Sequence, residues 1–300
     1  MFYVRLLLIL GLLLPAVAVA QEAQEGTFSP KVLNANFRRI GLDLSSTEVR
    51  HAQQYANSPV SQLNADSQTV VKGVFDFVLE YETNSFRWDN SAFAEYAKTK
   101  LKPADQPADT NESADKILFS TNYTQKIWDF EDGSIGPFVD GSYQTEFTKN
   151  KDPITNQSLP RTKILRGKAG LKLFDGIVFK DLYIAGVGEY DMTYNPDASK
   201  TAGETGFRIE KDIKEGVKFS SDGYYRRYFS ASHKNPEDLR YDMNITARMD
   251  VNLYSSLTVG PYISYRRARS RSADVAGSNF MIGLSFSYID LFNLINKKGE

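Results

Sequence analysis

Leu239-Arg240-Tyr241-Asp242-Met243-Asn244-Ile245-Thr246-Ala247-Arg248-Met249-Asp250-Val251 alternates apolar and polar residues for thirteen positions without a break. Successive side chains of a strand point to opposite faces, so this run reads as a strand with one face in oil and the other in a polar medium. In a chain that is 41% apolar, one such match arises by chance about once in ten thousand starts, or a few times per hundred chains of this length. Its weight therefore depends on company. It is also long: a soluble half-buried strand needs about five or six residues, whereas a tilted membrane strand needs about nine to eleven.

Company is found on both sides. Between Val71 and Tyr81 the apolar set is Phe75, Phe77, Leu79 and Tyr81, opposed by Lys72, Asp76 and Glu80. Leu165, Leu171 and Leu173 oppose Arg166, Lys168 and Lys172, and Leu182, Ile184, Tyr190 and Met192 oppose Glu189, Asp191 and Thr193. Less regular segments run from Arg38 to Ser45, Phe86 to Tyr96, Ile117 to Ile127, Phe138 to Phe147, Glu204 to Lys211, Val217 to Phe229, Leu257 to Tyr265 and Phe280 to Tyr288. Together they predict an all-β chain, a transmembrane antiparallel up-and-down β-barrel of about 12 strands. The predicted connections alternate between long and short, the short ones including Phe174 to Asp181 and Asp212 to Gly216. The middle of the chain is an exception, where Trp128 to Pro137 is no shorter than Asn195 to Gly203.

The N-terminus carries Arg5, an apolar run from Leu6 to Leu14, Pro15, and Ala18-Val19-Ala20 before Gln21, the pattern of a cleaved secretory signal. The expected organisation is a signal peptide at 1–20, a periplasmic segment at 21–36, a barrel at 37–290 and a periplasmic tail at 291–300. Removing the signal deletes one of 36 basic residues and none of 37 acids, which takes the formal charge from -1 to -2 and argues against a nucleic-acid binder. Cysteine is absent, which excludes disulfides, thiolate chemistry and a lipidated cysteine. No later stretch of eighteen apolar residues occurs, so an integral protein would have to cross as a closed barrel. The expected location is the Gram-negative outer membrane.

Gly283-Leu284-Ser285-Phe286-Ser287-Tyr288 resembles the C-terminal signal read by the outer-membrane assembly machinery, with Met281 and the tail after Tyr288 as departures. The runs Gly136-Pro137-Phe138, Tyr143 to Phe147, Phe179 to Tyr194, Gly216 to Tyr228 and Ala276 to Tyr288 resemble an uncharacterised Gram-negative outer-membrane barrel family, a domain of unknown function. The resemblance implies a barrel and supplies no activity.

Chemistry is sparse. His51 and His233 both fall in predicted loops, and Ser232 beside His233 would point the other way on a strand, so no enzyme is expected. No metal, cofactor or phosphate-loop pattern occurs. The informative residues are those of inward parity: Asp76, Glu80, Arg166, Lys168, Lys172, Glu189, Arg208, Arg226, Arg240, Arg248, Asp250 and Arg266 are the expected lumen lining. Buried charges must meet water or each other. Water would give a narrow porin-like channel for small solutes, anionic ones among them. Pairing would give a plugged barrel serving as scaffold, adhesin or surface-binding protein, and an outer-membrane hydrolase ranks last. Expected partners are outer-membrane lipid and lipopolysaccharide, the assembly machinery and small solutes. Arg266, Arg267, Arg269 and Arg271 form a basic cluster at the outer mouth.

Overall fold

The computed structural model describes residues 32–55, 61–63, 69–101, 109–149, 158, 160–233 and 238–296. Its strands are β1 (Val32–Arg50), β2 (Thr69–Glu82), β3 (Phe86–Leu101), β4 (Asp109–Gln125), β5 (Trp128–Phe130), β6 (Gly133–Thr145) and β7 (Ile164–Phe174), followed by β8 (Phe179–Asp191), β9 (Ala198–Lys214), β10 (Val217–Ala231), β11 (Leu239–Tyr254), β12 (Leu257–Ser270) and β13 (Gly277–Asn296). Two short 3-10 turns, Ala52–Tyr55 and Ser61–Leu63, follow β1. No described helix is long and apolar enough to cross a membrane.

Apart from β4 and β5, consecutive strands pair antiparallel, and β1 pairs β13. The circle closes between β4 and β6, where Ile117–Thr124 run against Thr145–Phe138. Beyond a break at Lys126 and Ile127, β5 continues the line of β4 along β6, pairing Trp128–Phe130 with Ile135–Gly133. The break needs Gly136: a Cβ there would lie 1.6 Å from the Gln125 carbonyl oxygen. The result is a closed barrel of twelve staves, β4 and β5 forming one, in which, among the described residues, the three-residue β5 pairs on one side alone.

Alternation holds around the circle. On β13, Phe280, Ile282, Leu284 and Phe286 face outward, while Asn279, Met281, Ser285 and Ser287 are buried inside. Ile245, Met249 and Val251 on β11, Leu182 and Ile184 on β8, and Phe119 and Tyr123 on β4 extend the same apolar belt. The usual arrangement of a soluble domain is inverted, with large apolar side chains outside and charges within.

The short connections lie at one end: 83–85, Glu131–Asp132, 175–178, 215–216 and 255–256. The exception in the predicted alternation disappears here, because most of Trp128 to Pro137 is strand and the turn itself is two residues. Val32 pairs with both Glu82 and Asn296, so the first and last strands both have their outer ends at the short-turn rim. The barrel boundaries are corrected accordingly: residues 32–36 and 291–296 are paired strand rather than separate segments, since their backbone groups bond to β2 and to each other. The signal region and residues 21–31 lie outside the described residues.

Candidate functional site: the barrel lumen

The interior is built from cross-strand rows of alternating charge. Arg166 on β7 lies opposite Glu189 on β8, which lies opposite Lys200 on β9. Two rows inward, Glu204 on β9 lies opposite Arg226 on β10, which lies opposite Asp242 on β11. Asp181, Arg208 and Asp222 form a third row. Opposite charges directly across an antiparallel pair attract, so each row is locally neutralised.

Contacts follow from the register. Arg166 donates to Glu189 through Nε at 3.0 Å and Nη2 at 2.7 Å. Glu204 accepts from Lys168 Nζ at 2.7 Å, the Tyr183 hydroxyl at 2.6 Å and Arg226. Lys200 lies within 3.9 Å of Glu189, 3.1 Å of Asp191 and 2.9 Å of Asp238. Arg266 pairs with Asp242 at 2.9 Å, Arg248 with Asp250 at 2.7 Å and Arg208 with Asp181 at 3.0 Å.

A bulge in β1 adds two cations that strict alternation would have split between faces. Phe37 pairs with Asp290 and Ile40 with Tyr288, so Arg38 and Arg39 together oppose one residue, and both line the lumen. Arg39 bonds Asp43, Ser285 and Ser287 on the wall. Arg38 approaches Glu80 at 3.6 Å.

The segment after β1 folds inward at the long-loop end. Tyr55 is fully buried and its hydroxyl donates to the Ala268 and Val275 carbonyls at 3.2 and 2.8 Å. Leu63 packs with Tyr55, Ala268 and Ala273. Gln62 accepts from Arg266 at 3.1 Å through its side chain and from Asn279 at 2.6 Å through its carbonyl. Ser61–Leu63 touches β4 as well as β13, so the segment reaches over part of the mouth.

A cavity of about 490 Å³ remains. Its lining runs from Lys200, Asp191 and Asp238 near the long-loop end to Arg208, Glu210 and Arg38 towards the short-turn end. It counts eleven Lys and Arg against ten Asp and Glu. A second cavity of about 230 Å³ at the short-turn end is lined by Asn34, Glu80, Glu82, Arg87 and Asp175.

Of the expected lining residues, Asp76, Arg166, Lys168, Glu189, Arg208, Arg226, Arg248 and Arg266 line the main cavity. Glu80 lines the second cavity. Lys172 and Asp250 are buried in the wall beside their partners Asn122 and Arg248, outside either lining. Arg240 is a correction. The register shifts between Leu239 and Tyr241, so Arg240 is the bulged residue; it is exposed while Leu239 turns inward. Sequence reasoning missed Lys200, Glu204, Asp181, Arg38 and Arg39. The parity of Arg208 and Glu210, carried back along β9, would have found Glu204 and Lys200.

Ser232 and His233 also differ from expectation. β10 ends at Ala231, so strand geometry does not separate them, and Ser232 Oγ lies 3.2 Å from His233 Nδ1 on an exposed bend. His51 Nδ1 contacts the Ala276 carbonyl oxygen at 3.0 Å. Among the described residues, no group of three or more His, Asp or Glu is placed to hold a metal ion.

Residues 62–150 match a family described as a protein of unknown function, DUF3078. The match contains two of the five runs that carried the family resemblance, Gly136-Pro137-Phe138 and Tyr143 to Phe147. No curated protein matches the chain. Among solved structures, the COG4313 outer membrane channel from Pseudomonas putida F1 is similar at 7% identity, over 90% of this chain and 99% of that one, with a TM-score of 0.47. The CymD monoaromatic hydrocarbon channel is similar at 7% identity, over 87% and 89%, with a TM-score of 0.37. The NanC porin is similar at 12% identity, over 82% and 98%, with a TM-score of 0.39. The barrel assignment stands on the closed ladder of this chain itself.

Proposed function

We propose that this chain spans the Gram-negative outer membrane, reached by way of a cleaved signal peptide, with its long loops outside and its short turns in the periplasm, and that its lumen is a narrow passage for small polar solutes. The observation that carries the reading is a cavity of about 490 Å³ whose charged lining extends through most of the barrel, inside a continuous apolar belt. A closed barrel satisfies its backbone within hydrocarbon and exposes only that belt to lipid. The near balance of eleven cations and ten anions argues for weak charge selectivity rather than an anion filter.

A second reading has an observation of its own. The inward-folded segment bearing Tyr55, Gln62 and Leu63 reaches over part of the outer mouth, which favours a plugged, non-conducting barrel. Planar-bilayer recording of the refolded chain separates the two. Small steady steps that reverse near zero in a tenfold KCl gradient support passage, whereas silence across the voltage range assigns the plugged barrel. No catalytic role is proposed for either histidine.

A further inference from the structure

Fifteen arginines lie among the described residues, and nine of them make an ion pair. Eight of those nine are interior; the exception, Arg50, pairs with Glu48 at the end of β1. The six without a carboxylate partner among the described residues are not scattered. Arg161 stands apart, and Arg227, Arg240, Arg267, Arg269 and Arg271 gather at the long-loop ends of β10, β11 and β12.

The register shows how they are arranged. Arg227 lies opposite Tyr241, which lies opposite Arg269, and all three are on the outward parity. The next row towards the belt is Tyr225, Met243 and Arg267. Below it come Gly223, Ile245 and Tyr265, then Ser221, Ala247 and Ile263. Charges occupy the two rows at the edge, aromatic rings the transition and aliphatic groups the interior of the belt. With strands about 4.8 Å apart, the Arg227 and Arg269 backbones stand about 10 Å from each other.

The bonds these side chains make are few. Arg240 donates to the Arg271 carbonyl at 3.4 Å and Arg269 to the Asp274 carbonyl at 3.0 Å. The Nε atoms of Arg269 and Arg271 are buried with no acceptor. Asp274, the exposed acid of the same loop, forms no ion pair with them. Charge at the edge of a lipid-facing surface costs only about 0–1 kcal/mol, but five such guanidiniums repel one another unless an anion lies among them. A guanidinium presents a planar fork of donors that fits phosphate oxygens.

We propose that this outward-facing arginine patch holds the phosphate groups of lipopolysaccharide in the outer leaflet. The proposal rests on the long-loop end facing that leaflet, and not on whether the lumen conducts. Arg227, Arg267 and Arg269 grip the sugar phosphates while Tyr225, Tyr241 and Tyr265 pack against the first part of the acyl chains.

The test uses the full chain, refolded in zwitterionic detergent, with folding verified by circular dichroism and by heat-dependent gel migration. The probes are fluorescent bisphosphorylated lipid A and the same lipid with both phosphates removed, and binding is read by anisotropy. The expected result is at least tenfold tighter binding of the phosphorylated lipid, a preference abolished in R227Q/R267Q/R269Q and retained in R50Q. Should the triple variant fail to fold, R227Q and R267Q alone are each expected to weaken binding about threefold. Equal binding of the two lipids, no loss in the variants, or displacement of the lipid by millimolar inorganic phosphate overturns the proposal. A folded barrel that is electrically silent yet binds lipid A leaves it intact, so its failure is distinguishable from failure of the passage reading.

Discussion

Replacing Glu204 by Gln tests whether the lumen is held together by its charges. The Glu204 side chain is 1% exposed and satisfies three donors: Lys168, Tyr183 and Arg226. In E204Q a single neutral amide oxygen replaces two charged acceptors, so Lys168 loses its carboxylate partner and keeps its position over the Tyr183 ring, 5.5 Å from the centroid, while Arg226 keeps Glu189 at 3.9 Å. The new amide also points an N–H group at cations. Removing one partner of a buried pair costs about 3–5 kcal/mol. Cavity water can rehydrate part of Lys168, which is 17% exposed, so the lower end, about 3 kcal/mol, is expected. Equilibrium urea unfolding of the refolded barrel in phospholipid vesicles measures it. The K168M/E204Q double variant, which removes the stranded cation as well, should recover about 1–2 kcal/mol. A loss below about 1 kcal/mol in E204Q would refute the reasoning, because it would mean that water already solvates these groups and the pairs contribute nothing.

Three further outcomes follow from the same contacts. L63A removes a fully buried side chain that anchors the inward segment, a change worth about 2–5 kcal/mol, and should raise single-channel conductance as the segment leaves the mouth; unchanged conductance would show that the segment does not limit flow. R166A/R248A leaves Glu189 and Asp250 without those cations and should move the reversal potential towards cation preference, while no movement would place both arginines off the solute path. G260A puts a Cβ 1.6 Å from the Met249 carbonyl oxygen on the neighbouring strand and should sharply reduce the folded fraction seen as heat-dependent gel migration, whereas normal folding would mean that β11 and β12 separate there at little cost.

The twelve staves were legible because a lipid belt and a polar lumen impose a period of two on every crossing, and no other constraint competes with it over ten residues. Legibility failed where the backbone departs from that period. The bulge at Arg38 and Arg39 turns two consecutive side chains inward, and the one at Arg240 turns an inward residue out. Neither bulged residue is a glycine, and each bulge is fixed by cross-strand pairing, the first against β13 and β2 and the second against β12. The inward fold of Tyr55 and Leu63 was hidden for a related reason: its apolar partners, Ala268 and Ala273, are more than two hundred residues away.

Whether the lumen charges pair was the question that parity left open, and part of the answer lay in the turns. A hairpin's centre fixes which residues face each other. The connection read between Phe174 and Asp181 is centred so that Arg166 meets Glu189, the pair observed. The next short connection was read from Asp212 to Gly216, whereas the turn is Glu215–Gly216; centred one residue too early, it would set Glu204 against Tyr224 instead of Arg226. A one-residue error in a turn therefore replaces an ion pair with an unrelated contact, although inward and outward faces stay correct. Face depends only on parity, while pairing depends on register. That is why the class of this protein could be read from the repeated alternation of its strands, and the chemistry of its interior only from the closed circle.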